Sequence, residues 1–196
     1  LSAVKALETN IAGNFASMGS NTFNIEQYEF SVNREGRGER KKINPIIRYD
    51  DVRNFIDTYE YPFTSISVSF IGTRAAEVRY ETNKTDPEVQ VYGVNENYLD
   101  NTGTQVDQGR NFTVFDIQNN TKVCLIGPDF LKNIFENENP INKTISIRGV
   151  KFKIIGILES KGATFGNNQD LKVLLPIQVA RGIFTQPNIN YTISIK

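Results

Sequence analysis

Acid–base and nucleophilic chemistry has few side chains to draw on in this sequence. None of the 196 residues is histidine, which is the commonest general base and a frequent metal ligand. The single cysteine, Cys124, stands in the apolar run VCLI, where burial would raise its pKa and leave the thiol unreactive. One cysteine also excludes an internal disulfide and a cysteine-based zinc site. We therefore expect neither a catalytic residue nor a metal site.

Neither the carboxylates nor the short lysine-containing motifs predict a catalytic or phosphate-binding site. Asp50 and Asp51 are adjacent, but neighbouring helical residues point about 100° apart, so their side chains would not converge as a glycosidase pair must. We interpret them as acidic residues at a helix N-terminus. The words NKT at 83–85 and 142–144 lack the glycines of a phosphate-binding loop. No cofactor is expected.

Overall charge limits the partners. The chain has 22 Lys+Arg and 22 Asp+Glu, so no basic field attracts nucleic acid, and we expect no nucleic-acid partner.

No apolar run approaches the roughly 18 residues that a membrane span needs. The start LSAVKALETN has no signal-peptide pattern and is typical of an excised piece. The length suits one large domain or two small lobes.

Hydrophobic periodicity predicts the elements that position these residues. Helices are predicted from Val4 to Met18, from Tyr49 to Tyr59, in NENYLDN, in PDFLKNIFEN after Pro128 and in IQVARGIF; strands are predicted at 22–32, at 63–80 with a break at Gly72, at 83–94, in TKVCLIG, in a hairpin of 144–147 and 150–158, in LKVLLP and at 189–195. Because strands and helices do not alternate strictly, we predict an α+β fold rather than a doubly wound one.

The same order predicts two lobes. Residues 1–85 and 176–196 would form one lobe, and residues 86–175 would form an inserted, smaller α/β lobe. The middle segment has its own strands, helix and hairpin, which suffice for a small separate core. We therefore expect no single sheet to run through both lobes.

Several words in the middle segment recur in one known family. Gly93-Val94 and Tyr98-Leu99 are followed by Gly109-Arg110, with Phe112 and Asp116 close behind. Further residues in register are Gly127, Phe135, Pro140, Ile141, Lys143, Ile145, Gly149, Phe152, Ile155, Gly156 and Gly162. This pattern resembles the extracytoplasmic core domain of MacB-type ABC transporter permeases, most densely from Val91 to Pro176. Asn142 stands where the family has glycine, which predicts a turn with asparagine in the left-handed conformation.

The resemblance implies a function outside catalysis. The domain would lie on the periplasmic side of an inner-membrane permease, and its first lobe would be porter-like and continue beyond Lys196. Partners would be a second permease subunit, an ATP-binding domain or subunit and a periplasmic adaptor protein. ATP hydrolysis in the cytoplasm would drive periplasmic movements that export or extract a substrate. An enzyme with two converging acids, and a periplasmic binding or chaperone-like module, remain alternatives.

The resemblance also suggests where contacts form. The helix from Val4 to Met18 would continue a transmembrane helix, so its start would lie at the membrane-proximal end, near the last strand. Two polar, glycine-bearing loops are candidates for contact with a partner. Their candidate residues are Arg34, Arg37, Arg40 and Lys41 in the first loop, and Lys161, Phe165, Asn167 and Asp170 in the second. The alternative is that either loop is merely solvated.

Overall fold

A computed structural model describes residues 22–27, 45–136, 138–161, 163–164, 167–168 and 170–196, with side chains left out at 163–164 and 167–168. The helices are α1 Tyr49–Thr58, α2 Tyr98–Thr102, α3 Val114–Gln118, α4 Phe130–Asn133 and α5 Ile177–Ile183. The strands are β1 Phe23–Ile25, β2 Ile66–Ala76, β3 Val78–Tyr80, β4 Asn83–Lys84, β5 Val89–Val94, β6 Val106–Gly109, β7 Val123–Ile126, β8 Thr144–Ile147, β9 Val150–Leu158, β10 Ala163–Thr164, β11 Asn167–Asn168, β12 Lys172–Pro176 and β13 Tyr191–Ile195. The predicted helix from Val4 to Met18 lies outside the described residues.

One mixed sheet organises the molecule. It has 11 strands in the order β1-β13-β2-β5-β12-β7-β9-β8-β3-β4, with β6 also paired to β9. The β5–β12 and β7–β9 pairs are parallel, and the other pairs of this sheet are antiparallel. Strands and helices thus form a mixed α/β structure, in agreement with the predicted α+β class rather than a doubly wound one. Strands β10 and β11 form a separate two-stranded ribbon.

Both faces of the sheet bury apolar side chains. In β7, Cys124 and Ile126 belong to the larger core, whereas Val123 and Leu125 belong to a smaller one. Successive strand residues point to opposite faces, so this alternation places one core on each side of the sheet. The larger core includes Val52 of α1. The described chain is therefore layered around its sheet.

This continuity contradicts the expectation that no single sheet would run through both predicted lobes. Strand β2 belongs to the predicted first lobe, yet it pairs with β5 of the inserted lobe, and β5 pairs in turn with β12. Pairing of this kind satisfies backbone N–H and C=O groups that would otherwise be buried without partners. The two cores are separated by the sheet and not by a boundary along the chain. The lobe boundaries at 85/86 and 175/176 stay a prediction.

Helix α1 confirms the predicted helix from Tyr49 to Tyr59 and the role of its acids. The backbone N–H of Arg48 donates to Oδ2 of Asp51 at 2.9 Å. This contact is one half of a capping box, which satisfies N–H groups that the first helical turn leaves free. Asp50 and Asp51 thus act on the helix terminus, and they form no paired-acid site.

Gly72 does not break the second strand as predicted. β2 continues through it to Ala76, with a register shift against β5 between Ile71 and Thr73. A β-carbon on Gly72 would lie 2.6 Å from Cδ2 of the buried Phe184. The glycine therefore makes room for a core ring, and the strand absorbs the irregularity as a bulge.

Two predicted turns are confirmed by their backbone angles. Arg148 and Gly149 have φ of 49° and 80°, the pattern of a two-residue hairpin turn between β8 and β9. Asn142 has φ of 69°, and N–H of Lys143 donates to the carbonyl of Pro140 across that turn at 3.0 Å. Asparagine tolerates this left-handed conformation better than most residues.

The helix predicted in PDFLKNIFEN is shorter than expected. Helix α4 covers only Phe130–Asn133, and the two residues after it, Ile134 and Phe135, are buried in the larger core. The ring of Phe135 packs against that of Tyr80 with centroids 4.5 Å apart. Burial of both side chains redirects the backbone and ends the helix. Among the described residues, no helix combines the length and apolar character needed to cross a bilayer.

Candidate functional site

Three strand ends meet at one end of the sheet. Phe23 of β1 pairs with Ile195 of β13, which also pairs with Ile66 of β2. Just beyond them, N–H of Ser65 donates to the carbonyl of Lys196 at 2.8 Å, and N–H of Lys196 donates back at 3.0 Å. We call this region the terminal end of the sheet. Because β1 and β13 are antiparallel, the chain enters β1 and leaves β13 at this same end.

A buried asparagine ties the ends of β2 and β13 together. Asn101 of α2 is 1% exposed. Its Nδ2 donates to the carbonyl oxygens of Ser65 at 3.0 Å and Ser194 at 2.9 Å, and its Oδ1 accepts from the Ser65 hydroxyl at 2.6 Å. These contacts use both amide hydrogens and the amide oxygen. Removal of this side chain would leave the backbone carbonyls of Ser65 and Ser194 without this donor.

Two further asparagines bind the backbone at the start of β2. Asn95 donates from Nδ2 to the carbonyl of Ile66 and accepts at Oδ1 from N–H of Val68, both at 3.0 Å. Asn97 donates to the same Ile66 carbonyl at 3.0 Å. We call Asn95, Asn97 and Asn101 the asparagine clamp. The clamp joins the segment between β5 and α2 to the strands of the terminal end.

Aromatic side chains at the terminal end are open to solvent. Phe63 is fully exposed, Tyr61 is 68% exposed and Phe23 is 54% exposed. Phe63 also has φ of 63°, a left-handed conformation that costs a non-glycine residue about 1 kcal/mol. The loop from Tyr59 to Thr64 therefore presents the rings of Tyr61 and Phe63 outward at a conformational cost. Phe63 lies two residues before Ser65.

The arginine and aspartate of the family-like words form an ion pair. Arg110 Nη1 donates to Asp116 Oδ2 at 2.7 Å, and Nη2 donates to Oδ1 at 3.3 Å. The hydroxyl and N–H of Thr113 donate to the same carboxylate, each at 2.8 Å. Burial acts to raise the pKa of Asp116, but the hydrogen bonds from Arg110 and Thr113 outweigh it and hold the pKa below its ordinary value. Asp116 and Thr113 together form the capping box of α3, and Arg110 pairs with the same carboxylate.

The two glycines beside this pair serve close packing. A β-carbon on Gly109 would lie 2.2 Å from the carbonyl oxygen of Ile155, and its φ of 88° disfavours other residues. A β-carbon on Gly156 would lie 2.7 Å from the carbonyl oxygen of Arg110. Both glycines allow β6 to lie against β9. These motifs therefore serve strand packing and do not form a reactive site.

A buried carboxylate lies at the end of the second predicted contact loop. The Asp170 carboxylate is buried and accepts hydrogen bonds from N–H of Lys161, at 2.8 Å, and from the hydroxyl of Ser160. Asn167 lies in the β10–β11 ribbon, where a loop without strands was predicted. The predicted residues outside the described part of the chain are Phe165 and, in the first loop, Arg34, Arg37, Arg40 and Lys41. Partner contact at either loop stays a prediction.

Cys124 lies in the core, as predicted. Its side chain is fully buried, and burial raises the pKa of the thiol. The described residues also contain no group of three or more acidic or cysteine side chains suited to a metal ion.

A family model settles what kind of domain these features belong to. The model of the MacB-like periplasmic core domain matches residues 1–196. The chain belongs to this family. A MacB-like periplasmic domain is a non-catalytic module of ABC transporter permeases, which agrees with the family-like words identified in the sequence.

Curated relatives extend the match along most of the MacB-like chain. The macrolide export ATP-binding/permease protein MacB of Aggregatibacter actinomycetemcomitans is 27% identical over 167 residues, which are 84% of this chain and 24% of that protein. The protein of the same name in Vibrio parahaemolyticus is 26% identical over 176 residues, 89% of this chain and 25% of that protein. The chain thus spans about a quarter of the length of these relatives.

Solved structures share the fold. The crystal structure of the periplasmic region of MacB from Actinobacillus actinomycetemcomitans has a TM-score of 0.71 at 22% identity, covering 95% of this chain and 79% of that one. The extracellular domain of the noncanonic ABC-type transporter YknZ from Gram-positive bacteria has a TM-score of 0.60 at 19% identity, covering 76% and 71%.

Sequence reasoning missed the asparagine clamp of this MacB-like domain. The word NENYLDN, at 95–101, was sufficient to predict the short helix α2, which the structure confirms. Its density of asparagine was the available signal, because an amide can donate and accept at once and so bridge two strand backbones. Which backbones it bridges depends on contacts distant in sequence.

Proposed function

We propose that this MacB-like domain is the periplasmic part of an ABC transporter permease, in which it couples cytoplasmic ATP hydrolysis to movements that export or extract a substrate. The terminal end of its sheet faces the membrane. The observation that carries the proposal is the pairing of Phe23 with Ile195, which places entry into β1 and exit from β13 side by side. Membrane segments attached on both sides would then act on one pair of strands.

Motion applied at the terminal end has a direct route into the sheet. Strand β13 lies between β1 and β2, so a displacement of β13 passes to β2 through ladder hydrogen bonds. The asparagine clamp carries the same displacement to α2, because Asn101 holds the carbonyls of Ser65 and Ser194 at once. A packed sheet with two cores moves as a body rather than deforming gradually.

The exposed aromatic rings support this orientation. Tyr61 and Phe63 occupy the loop that ends at Ser65, and Phe23 opens β1 beside Ile195. Aromatic side chains are enriched where protein meets the headgroup region of a bilayer, since their apolar bodies and polar edges suit that depth. In water the same rings gain nothing from exposure.

The partners of the intact protein are part of this proposal. They are a second permease subunit, an ATP-binding domain or subunit, and a periplasmic adaptor protein. The loops from Arg34 to Lys42 and from Lys161 to Asp170 are the proposed contacts with an adaptor or partner subunit. Crosslinking scans across both loops in the intact transporter, with and without ATP, test them. Absence of crosslinks at both loops would refute these contacts and leave the membrane-facing orientation standing.

Loss of coupling tests the transport function itself. In the full-length transporter, Asn101→Ala should preserve ATP hydrolysis while lowering export, because it removes the buried hydrogen bond between α2 and β13. The relatives' names make a macrolide the first cargo to test. Asn188→Ala, at an exposed position before β13, is the matched control. Equal export by Asn101→Ala, Asn188→Ala and wild type would contradict the proposed route.

The same export assay, applied to a transporter with an inactivated ATP-binding site, distinguishes the alternative function. A periplasmic binding or chaperone-like module would protect or retain its ligand without ATP hydrolysis. Export that persists after the ATP-binding site is inactivated would therefore favour that alternative. Export that stops would support coupling.

A further inference from the structure

A polar pocket of about 290 Å³ lies on the face of the sheet that carries the smaller core. It opens beside the first residues of β5 and β12, under α2 and the segment after β9. Its walls include Tyr92, Tyr98, Thr102, Thr104, Lys161 and Lys172. Of its lining residues, the transport proposal uses only Lys161, as the first residue of the second contact loop.

Two lysines bring positive charge to the pocket. Burial, and to a smaller extent the charge of Lys161, lower the pKa of Lys172 to about 8, while the charge of Asp170 opposes the shift. Burial lowers the pKa of Lys161 as well. In the described part of the chain, the Lys172 ammonium has no hydrogen-bonded acceptor, and Nζ of Lys161 reaches the Thr102 carbonyl only at 3.4 Å. An acceptor that enters the pocket would compensate the partly buried Lys172 ammonium group.

One carboxylate, that of Asp170, acts on the charge of Lys172. Asp170 accepts from N–H of Lys161 and from the Ser160 hydroxyl, and its effect on Lys172 is electrostatic. It therefore balances part of the positive charge from the side of the pocket. The two lysines of the described lining thus stand beside the one carboxylate that acts on Lys172.

Hydroxyl groups complete the lining, and the Tyr92 hydroxyl donates to Oε1 of Gln90, another lining residue, at 2.7 Å. Burial raises the pKa of Tyr92 and Tyr98, so both phenols stay protonated at neutral pH. The Thr102 hydroxyl donates to the Tyr98 carbonyl at 2.8 Å and lies 2.9 Å from the Thr104 hydroxyl. The pocket thus combines two cations with neutral hydroxyls, which is a chemical environment suited to an anion.

We propose that this pocket binds a small oxyanion, a carboxylate or a phosphate, between Lys161 and Lys172. Its volume of about 290 Å³ accommodates a small dianion. Lysine ammonium groups act as point charges and accept either oxyanion. The site is independent of membrane orientation and of ATP hydrolysis, so it can stand or fall apart from the transport function.

Calorimetric titration of the 196-residue chain tests the site, with succinate and inorganic phosphate as separate probes and sodium chloride holding the ionic strength constant. We expect saturable binding of at least one probe, and the stronger one identifies the chemistry. Lys172→Met should weaken it about tenfold or more. The control Lys132→Met removes an exposed lysine of α4 and should leave binding unchanged. If Lys172→Met does not fold, Lys161→Met provides the same test.

The pH profile adds a readout that general charge screening would not produce. Among the described residues, the titratable groups that face Lys172 are Lys161, Asp170 and the two protonated phenols. Because the pKa of free Lys172 is about 8, the affinity should fall as pH rises from about 7 to about 9.5. Absence of saturable binding by both probes would overturn the proposal. So would binding that neither lysine variant weakens.

Discussion

Asn101 and Ser194, 93 residues apart in the chain, are joined by a hydrogen bond of 2.9 Å from the buried amide of one to the backbone carbonyl of the other. The bond links α2 to the last residues of β13. Because Asn101 also holds Ser65, the ends of β2 and β13 keep a fixed spacing at the place where the proposed membrane segments attach. This relationship makes the terminal end a single structural unit.

Removal of the clamp should lower stability. Asn101→Ala leaves the carbonyls of Ser65 and Ser194 without this buried donor, and we expect a loss of about 1 to 3 kcal/mol in the free energy of unfolding. Asn188→Ala, at an exposed position, should change it by less than about 0.5 kcal/mol. Urea unfolding of the isolated chain measures both. A loss of equal size in the two variants would show that the clamp does not hold the strands.

The exposed ring of Phe63 should contribute nothing to the stability of the isolated chain. Glycine adopts φ of 63° without the steric cost that phenylalanine bears, so Phe63→Gly should preserve or raise the thermal midpoint. Tyr61→Gly has no such strain to relieve in the same loop, and it should lower the midpoint slightly. A drop in Phe63→Gly larger than that in Tyr61→Gly would mean that the ring packs on the protein in solution.

Stability should depend on pH through Asp116. Its pKa is lower in the folded chain than in the unfolded chain, so its stabilisation is present above the unfolded value near 4 and is lost as pH falls through the folded value. Asp116→Asn should cost about 1 to 2 kcal/mol at neutral pH, from the weakened cap and ion pair. Unfolding titrations at neutral and acidic pH should show this difference shrinking in acid. A difference that grows in acid would reverse the assigned sign.

Cys124 should react slowly with thiol reagents. Burial raises its pKa, and the thiolate, which is the reactive form, is scarce at neutral pH. Labelling should be slow in the folded chain and fast in denaturant. A cysteine introduced at the exposed Asn188 should label rapidly in the folded state and thereby provide the reference. Rapid labelling of folded wild type would contradict burial.

Local elements could be predicted from the sequence because short-range physics determines them. The turn at Arg148 and Gly149, the helix cap at Asp51 and the left-handed Asn142 each depend on residues within a few positions. The structure confirms all three. Burial of Cys124 also followed from its apolar neighbours alone.

Long-range pairings could not be predicted in the same way. Gln90 pairs in parallel with Lys172, which is 82 residues later in the sequence (172 − 90). No local pattern encodes this pairing. The continuous sheet and the asparagine clamp both depend on such pairings. The expectation that no single sheet runs through both predicted lobes was wrong for this reason, although the strands themselves were largely placed. Gly72 likewise escaped prediction because its neighbour Phe184 is distant in sequence.

The orientation of the terminal end toward the membrane is the central claim, and lipid proximity measures it. Glu60→Cys, in the loop beside the exposed aromatics, and Asn188→Cys, before the opposite end of β13, would carry a fluorophore in the full-length protein in bilayers with quencher-bearing lipids. Cys124 is buried and does not compete for the label. We predict strong quenching at position 60 and weak quenching at position 188. Equal quenching, or stronger quenching at 188, would contradict the account.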